Sequence, residues 1–276
     1  MKNKHVIVTG ASRGLGEAVV RQCAADGWDI SFGARTQSNL NVVQNSLPDG
    51  KGDFFTKVLD VSDESNVDSF FKEACEKLGP PNAVVHCAGV YGPFGPTKDV
   101  DPKVWLHTVQ INLFGTLLVS QQAIKAMVDD ANGHGQIIVL SGGGATSPMP
   151  NISAYAASKA GVVRLIESIA LELRNTKICI NAVAPGLMAT QMLDELLAAG
   201  PEAVGHSFYD RMKQAKEANE DSTQDAVSLI QFLMNNTVPG LSGRLISAKW
   251  DSWDTWDSNT HVFDDPDLFT LRRKVE

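Results

Sequence analysis

Tyr155 and Lys159 stand four residues apart at the start of a helical pattern that runs from Ser153 to about Arg174. That spacing puts the phenol and the ammonium on one helix face, one turn apart. A free phenol titrates near pH ~10, but an ammonium held beside it favours the phenolate and pulls that value toward neutrality. A tyrosine tuned in this way can give or take a proton at working pH. The same spacing also arises as a solvated pair on any amphipathic helix, so the elements around it decide between the two readings.

The first of those elements is a β-branched run, His5 to Thr9, followed by glycines at 10, 14 and 16 and then by a helical period from Glu17. Strand, glycine turn and helix present bare backbone N–H groups and a helix N-terminus to a pyrophosphate. Gly10, Ser12, Arg13, Gly14, Leu15 and Gly16 are the candidate contacts, with a tight structural turn as the alternative. A second strand, Asp29 to Ala34, ends at Arg35. A cofactor with a free ribose 2′-OH usually meets an acidic residue there, roughly 20 residues past the glycines. Here the position is basic, and Arg35 with Arg13 can clamp a 2′-phosphate. Both arginines at these places point to NADP(H).

The third strand, Thr56 to Val61, ends in Asp60 and Val61, where Asp60 either accepts from an adenine amino group or starts the turn into the next helix. The fourth, from Ala83, runs into Ala88 and Gly89, small enough for a ribose to approach the backbone. The proline-rich loop Val90 to Pro96 is stiff, and either walls a pocket or packs as a surface turn. A long helix from Val104 to about Asp129 contains Asn112, which is either a satisfied core amide or the holder of a relay water. Ser141 follows the fifth strand and can polarise a carbonyl or cap the turn. Pro185 and Gly186 break the sixth strand, Lys177 to Ala184, and Thr190 just beyond can donate to a carboxamide.

Alternation of strand and helix over nearly the whole chain indicates one doubly wound α/β domain. Residues 191–222, rich in charge and interrupted by Gly200-Pro201 and Gly205, occupy the place of a substrate lid. A helix from Ala226 to Met234 and a seventh strand within 240–249 complete the pattern. Trp250, Trp253 and Trp256 are each followed by aspartate, which suits a polyhydroxylated ligand or a subunit interface. The last residues, 258–276, read as a polar, weakly ordered tail.

The net charge of −8 disfavours nucleic acid and anionic membranes as partners. The start shows no apolar targeting segment, and no apolar run approaches the roughly 18 residues of a membrane span. The four cysteines lie far apart and form no metal motif, which suits reduced thiols and a cytoplasmic setting.

Over roughly residues 4–250 the sequence resembles the short-chain dehydrogenase/reductase family. The matching residues are Thr9-Gly10-x-x-x-Gly14-x-Gly16, Asp60-Val61, Ala88-Gly89, Asn112, Tyr155-x-x-x-Lys159 and Pro185-Gly186 with Thr190. The resemblance implies a Rossmann domain over residues 1–257, with about seven parallel strands and helices on both faces. It implies Tyr155 as general acid, Lys159 as its tuner and ribose ligand, and Asn112 as holder of the water linking Lys159 to solvent. It also implies a homodimer or homotetramer through the two long helices, where Ala156, Ala157, Ala160 and Gly161 permit close approach.

Two departures stand out. Cys87, preceded by His86, replaces an asparagine that mostly steadies the sheet in the family. The family's serine stands thirteen residues before the tyrosine, where this chain has Gly142. A one-residue bulge through the three glycines would restore Ser141 to that place, with Thr146 and Ser147 as lesser candidates. The expected activity is an NADP(H)-dependent interconversion of a carbonyl and an alcohol on a small to medium polar substrate, possibly a sugar or polyol derivative. An oxoacyl-thioester reductase, a hydrophobic-ketone reductase and a catalytically silent cofactor-binding sensor stand as alternatives, as does a redox-neutral dehydratase or epimerase that recycles its cofactor.

Overall fold

The apolar runs form a single parallel sheet in the computed structural model, which describes residues 3–128 and 134–273. Its strands are β1 (His5–Thr9), β2 (Asp29–Ala34), β3 (Phe54–Val58), β4 (Ala83–His86), β5 (His134–Leu140), β6 (Lys177–Ala184) and β7 (Leu245–Ser247). They lie in the order β3-β2-β1-β4-β5-β6-β7. Every position of β1, β2 and β4 is buried, as expected of parallel strands covered on both faces. The strand order reverses between β1 and β4, and ligands of such sheets bind in the crevice that opens there.

Helices α1 (Gly14–Ala25), α2 (Gln37–Asn45) and α10 (Thr223–Asn235) cover one face. The other face carries α3 (Glu64–Leu78) and one long helical run. That run comprises α4 (Pro102–Val109), a π-helical turn (Gln110–Phe114) and α5 (Gly115–Val128). Its end, expected near Asp129, lies outside the described residues. Helix α6 (Ser153–Glu172) packs beside it. Between β6 and α10 the chain forms α7 (Gln191–Ala199), α8 (Pro201–Val204) and α9 (His206–Glu217), broken where Gly200-Pro201 and Gly205 fall. Among the described residues no helix is long and apolar enough to cross a membrane.

The third strand begins and ends earlier than expected, so Asp60 and Val61 lie in the turn beyond it rather than at its edge. The C-terminal segment departs further from expectation. Trp256 is 2% exposed and packs edge-on against Phe263, and Phe269 completes a three-ring cluster with both. Buried Arg244 donates to the carbonyls of Pro266 and Leu268, at 2.7 and 2.5 Å. The Leu245 N–H on β7 reaches the Phe269 carbonyl, and Glu167 on α6 accepts from the Leu271 N–H and pairs with Arg272.

This stretch is therefore anchored to the core by Trp256, Phe263 and its contacts with Arg244 and Glu167, not a loose tail, which changes what its removal does. Truncation after Lys249 exposes the α10 face of the sheet and strips Arg244 and Glu167 of their partners. Loss of one buried tryptophan alone costs about 3–5 kcal/mol, a large share of a domain's ordinary stability. The truncated protein is expected to melt at least 10 °C lower or to aggregate. An unchanged melting temperature by circular dichroism would count against this packing.

Candidate active site

The carboxyl ends of the strands and the helices α7 and α9 enclose a cleft of about 1090 Å³. Ligand pockets run roughly 300–1,000 Å³, so this cleft stands at the large end of that range. Gly10, Ser12, Arg13, Gly14, Leu15, Gly16, Arg35, Asp60, Val61, Ala88, Gly89, Tyr155, Lys159, Pro185, Gly186 and Thr190 all line it. Residues spread over the chain are brought to one crevice by the strand order.

At one end the glycine turn packs so closely on neighbouring backbone that side chains have no room. Gly10 has φ +65°, and a Cβ there would lie 2.6 Å from the Ala88 nitrogen; one on Gly16 would strike the Gly10 carbonyl. Arg13, at the N-cap of α1, makes no side-chain cap, so the first-turn N–H groups face the cleft unsatisfied. These features fit a pyrophosphate. Thr190, at the N-cap of α7, likewise caps nothing with its side chain.

The two arginines are not equivalent. Arg13 turns to α7, where it hydrogen-bonds Gln191 and pairs with Glu195 at 3.7 Å. Arg35 is exposed at the end of β2 beside Thr36 and Asn39, two cleft residues that the sequence pattern did not single out. Asp60 does begin the turn, its Oδ1 accepting from both the amide and the hydroxyl of Ser62. Partial burial works against its charge, but the two Ser62 hydrogen bonds, with Arg35 and His107 beyond them, hold the carboxyl below its usual range.

At the other end stand Tyr155, Lys159 and Asn112. Asn112 lies in the π-helical turn and is buried. Its Oδ1 accepts from the Val90 N–H at 2.9 Å, and its Nδ2 donates to the Val90 carbonyl and to Ser158 Oγ. The Asn112 carbonyl accepts from the Thr116 hydroxyl at 2.6 Å. A Cβ on Gly89 would lie 3.3 Å from Asn112 Oδ1 and 3.7 Å from Lys159 Nζ. The missing side chain thus leaves a gap between amide and ammonium, a place for a bridging water.

Lys159 Nζ donates to the Leu140 carbonyl at 2.7 Å and sits 5.7 Å from the Tyr155 ring centre. Burial lowers the lysine to about 8, against a small opposing pull from Cys87. The expected depression of the tyrosine is not what the structure gives: burial among apolar side chains, with Tyr91 adding to it, pushes the Tyr155 phenol well above its ordinary value. At neutral pH it is a protonated acid.

The glycine loop also differs from expectation. No bulge carries Ser141 to the phenol; its hydroxyl points to the Lys159 carbonyl, 3.5 Å away, and is 3% exposed. The residue against the phenol is Gly142, where a Cβ would lie 2.6 Å from the Tyr155 oxygen. Thr146 and Ser147 are exposed on the cleft's lip. The other departure is compensated, since His86 Nδ1 bonds the Thr9 hydroxyl at 2.7 Å and ties β4 to β1.

The wall beyond Tyr155 is apolar. Tyr91, Phe208 and four of the chain's seven methionines, Met149, Met188, Met192 and Met212, line it. Trp253 packs on Phe232, and Trp256 is buried in the core, so of the three Trp-Asp tryptophans only Trp250 lines the cleft.

A model of the short chain dehydrogenase family matches residues 4–200. The chain is 34% identical over 241 residues to a short-chain type dehydrogenase/reductase of Picea abies, covering 83% of this chain and 85% of that one. It is 33% identical over 257 residues to the NADPH-dependent aldehyde reductase-like protein, chloroplastic, of Arabidopsis thaliana, covering 87% and 90%. Its 31% identity to glycine betaine reductase ATRR of Emericella nidulans spans 193 residues, only 15% of that longer protein. The crystal structure of levodione reductase superposes with a TM-score of 0.79 at 26% identity, over 90% of this chain and 96% of that one. With the strand order, the glycine turn and the Tyr155, Lys159 and Asn112 cluster already in place, these matches make the chain a member of the short-chain dehydrogenase/reductase family, oxidoreductases that work with nicotinamide cofactors.

Proposed function

We propose that the chain is an NADP(H)-dependent reductase or dehydrogenase that interconverts a carbonyl and an alcohol on a small to medium substrate. The observation that carries this reading is that Tyr155 and Lys159, with Asn112 buried behind Gly89, line the same cleft as the glycine turn and Arg35. A bound nicotinamide supplies or accepts the hydride. Tyr155 gives its proton to the substrate oxygen in reduction and takes it back in oxidation. Lys159 holds positive charge beside the phenol as it ionises, and Asn112 holds the water through which that proton is replaced. Gly10, Gly14 and Gly16 let the pyrophosphate approach the backbone, Asp60 faces the adenine, and Thr190 donates to the carboxamide.

The polyol reading of the substrate loses its support in the tail, because Trp253 and Trp256 are packing residues. Methionines instead form an adaptable apolar surface. The favoured substrate has its polar group at the reacting end and an apolar body against Met149, Met192 and Met212. The four free cysteines suit a reducing, cytoplasmic setting, and half-buried Ala156 and Ala160 with exposed Ala157 on α6 leave room for close packing in a homodimer or homotetramer.

The test is oxidation of NADPH, followed by absorbance, across keto-sugars, oxoacyl thioesters and hydrophobic diketones. Tight NADPH binding with no turnover on any carbonyl would favour a cofactor-binding sensor instead, and product formed without net change in NADPH would favour a redox-neutral reaction. Cofactor choice is tested by calorimetry. NADPH is expected to bind more tightly than NADH, and Arg35→Ala to weaken NADPH by roughly 30-fold, the worth of a charge-assisted phosphate pair, with NADH little affected. NADH bound as tightly as NADPH by the wild type would remove NADP(H) from the proposal.

A further inference from the structure

We propose that the Tyr91 hydroxyl is the second hydrogen-bond donor to the substrate oxygen, standing beside Tyr155 and filling the role that Gly142 leaves without a side chain. The inference rests on the carbonyl-reductase reading above and adds a catalytic residue to it. A carbonyl oxygen that gains negative charge during hydride transfer is best held by more than one fixed donor. Gly142, the residue against the Tyr155 phenol, has nothing to donate. Ser141 is turned inward to the Lys159 carbonyl.

Tyr91 meets the requirement from the adjoining loop, packed against Tyr155 in the same apolar cluster. Its ring centre lies 4.9 Å from that of Tyr155, tilted by 56°, and 5.8 Å from that of Phe94. The backbone that carries it is fixed. Asn112 grips both the N–H and the carbonyl of the preceding residue, Val90. The following residue, Gly92, has φ +82° and packs so closely on Thr108 that no side chain fits between them. A ring held on both sides in this way keeps its hydroxyl in place without reorganisation during the reaction.

The hydroxyl itself is available. Tyr91 lines the cleft, and its oxygen neither hydrogen-bonds another described residue nor is sealed from the cavity. Burial raises its phenol above the ordinary value, so it is a protonated donor at neutral pH. It also adds, after burial, to the rise of Tyr155. Tyr91 keeps its proton throughout: the proton that moves goes from Tyr155 to the substrate oxygen, and Tyr91 only donates a hydrogen bond to that oxygen.

The experiment is steady-state kinetics on the best carbonyl substrate for wild type, Tyr91→Phe, Tyr91→Leu, Ser141→Ala and Tyr155→Phe, with melting temperature and NADPH affinity recorded for each. Tyr91→Phe keeps the ring and its packing, and is expected to melt like wild type and bind NADPH equally well. Its kcat is expected to fall by roughly 10²-fold, the usual cost of one such donor, with KM little changed. The pH dependence that remains should keep the wild-type midpoint, because the proton-transferring group is untouched. Normal kcat in Tyr91→Phe with loss only in Tyr91→Leu would show a packing role and overturn the proposal, as would a loss confined to Ser141→Ala. If Tyr155→Phe is inactive while Tyr91→Phe is not, the reductase reading stands and only the Tyr91 role falls. A wild type without turnover on any carbonyl would overturn both.

Discussion

Tyr155→Phe is expected to lower turnover by roughly 10³-fold, within the range that a positioned general acid supplies, while leaving NADPH affinity and melting temperature close to wild type. The substitution removes one oxygen and no packing, since the ring stays against Tyr91, Ile152 and Met149. That oxygen makes no hydrogen bond to a described residue, so its loss orphans no buried partner. Only the proton is missing. Burial raises the phenol, so at neutral pH nearly every molecule carries that proton, ready for reduction. Lys159, lowered to about 8, is the group whose charge fades first as pH rises through that value. Single-turnover absorbance with saturating NADPH checks the loss without interference from product release. Turnover within a few-fold of wild type would remove Tyr155 from the chemistry and leave the cleft as a binding site.

How far the sequence foretold this site depends on the kind of signal each part leaves. The strands were legible because parallel, doubly covered strands carry near-continuous apolar and β-branched runs, as Val6 to Val8 in β1 and Ala182 to Ala184 in β6 do. Helix α2 was not, because Gln37–Asn45 buries only Leu40 and Val43 in a polar background. The C-terminal core was missed for the same reason: Phe263 and Phe269 are sparse anchors among charged residues, and sparse anchors show no period. Composition suggested a solvated tail where three aromatic rings close the sheet.

Roles that depend on direction were the least legible. Side chains on an extended segment alternate between faces, so Ser141 and Gly142 point oppositely, and one residue of register decides which of them meets the phenol. Spacing from Tyr155 selected Gly142; the need for a hydroxyl selected Ser141. The fold follows the spacing. Tyr91 was visible only as part of a stiff loop, because nothing in Val90–Pro96 says which ring faces inward. That required knowing that Asn112, distant in sequence, grips Val90 from the π turn. Conversely, Gly200-Pro201 and Gly205 fell on helix boundaries as expected, since backbone breakers act locally.

Gly142→Ser supplies the sharpest contrast between spacing and geometry, because by family pattern it restores a missing hydroxyl and by this structure it disables the enzyme. The backbone tolerates the change: φ is 171° and ψ 178°, an extended conformation open to any residue. The obstruction is the Tyr155 oxygen, 2.6 Å from where the new Cβ must sit. Ordinary contact needs roughly a further ångström, and the phenol has little freedom to provide it. Its ring is held by Tyr91 on one side, while a Cβ on neighbouring Gly144 would lie 3.3 Å from the ring and 3.0 Å from the Ala156 backbone. A displacement on the order of 1 Å at the reacting group costs about 10²-fold, so kcat is expected to fall by that factor in both Gly142→Ser and Gly142→Ala, with NADPH affinity preserved. Equal losses in the two variants mark a steric cause, since only one carries a hydroxyl. A gain in kcat for the serine variant alone would mean that the phenol yields and that the site lacks a donor at this position, which would also weaken the case for Tyr91 as its replacement.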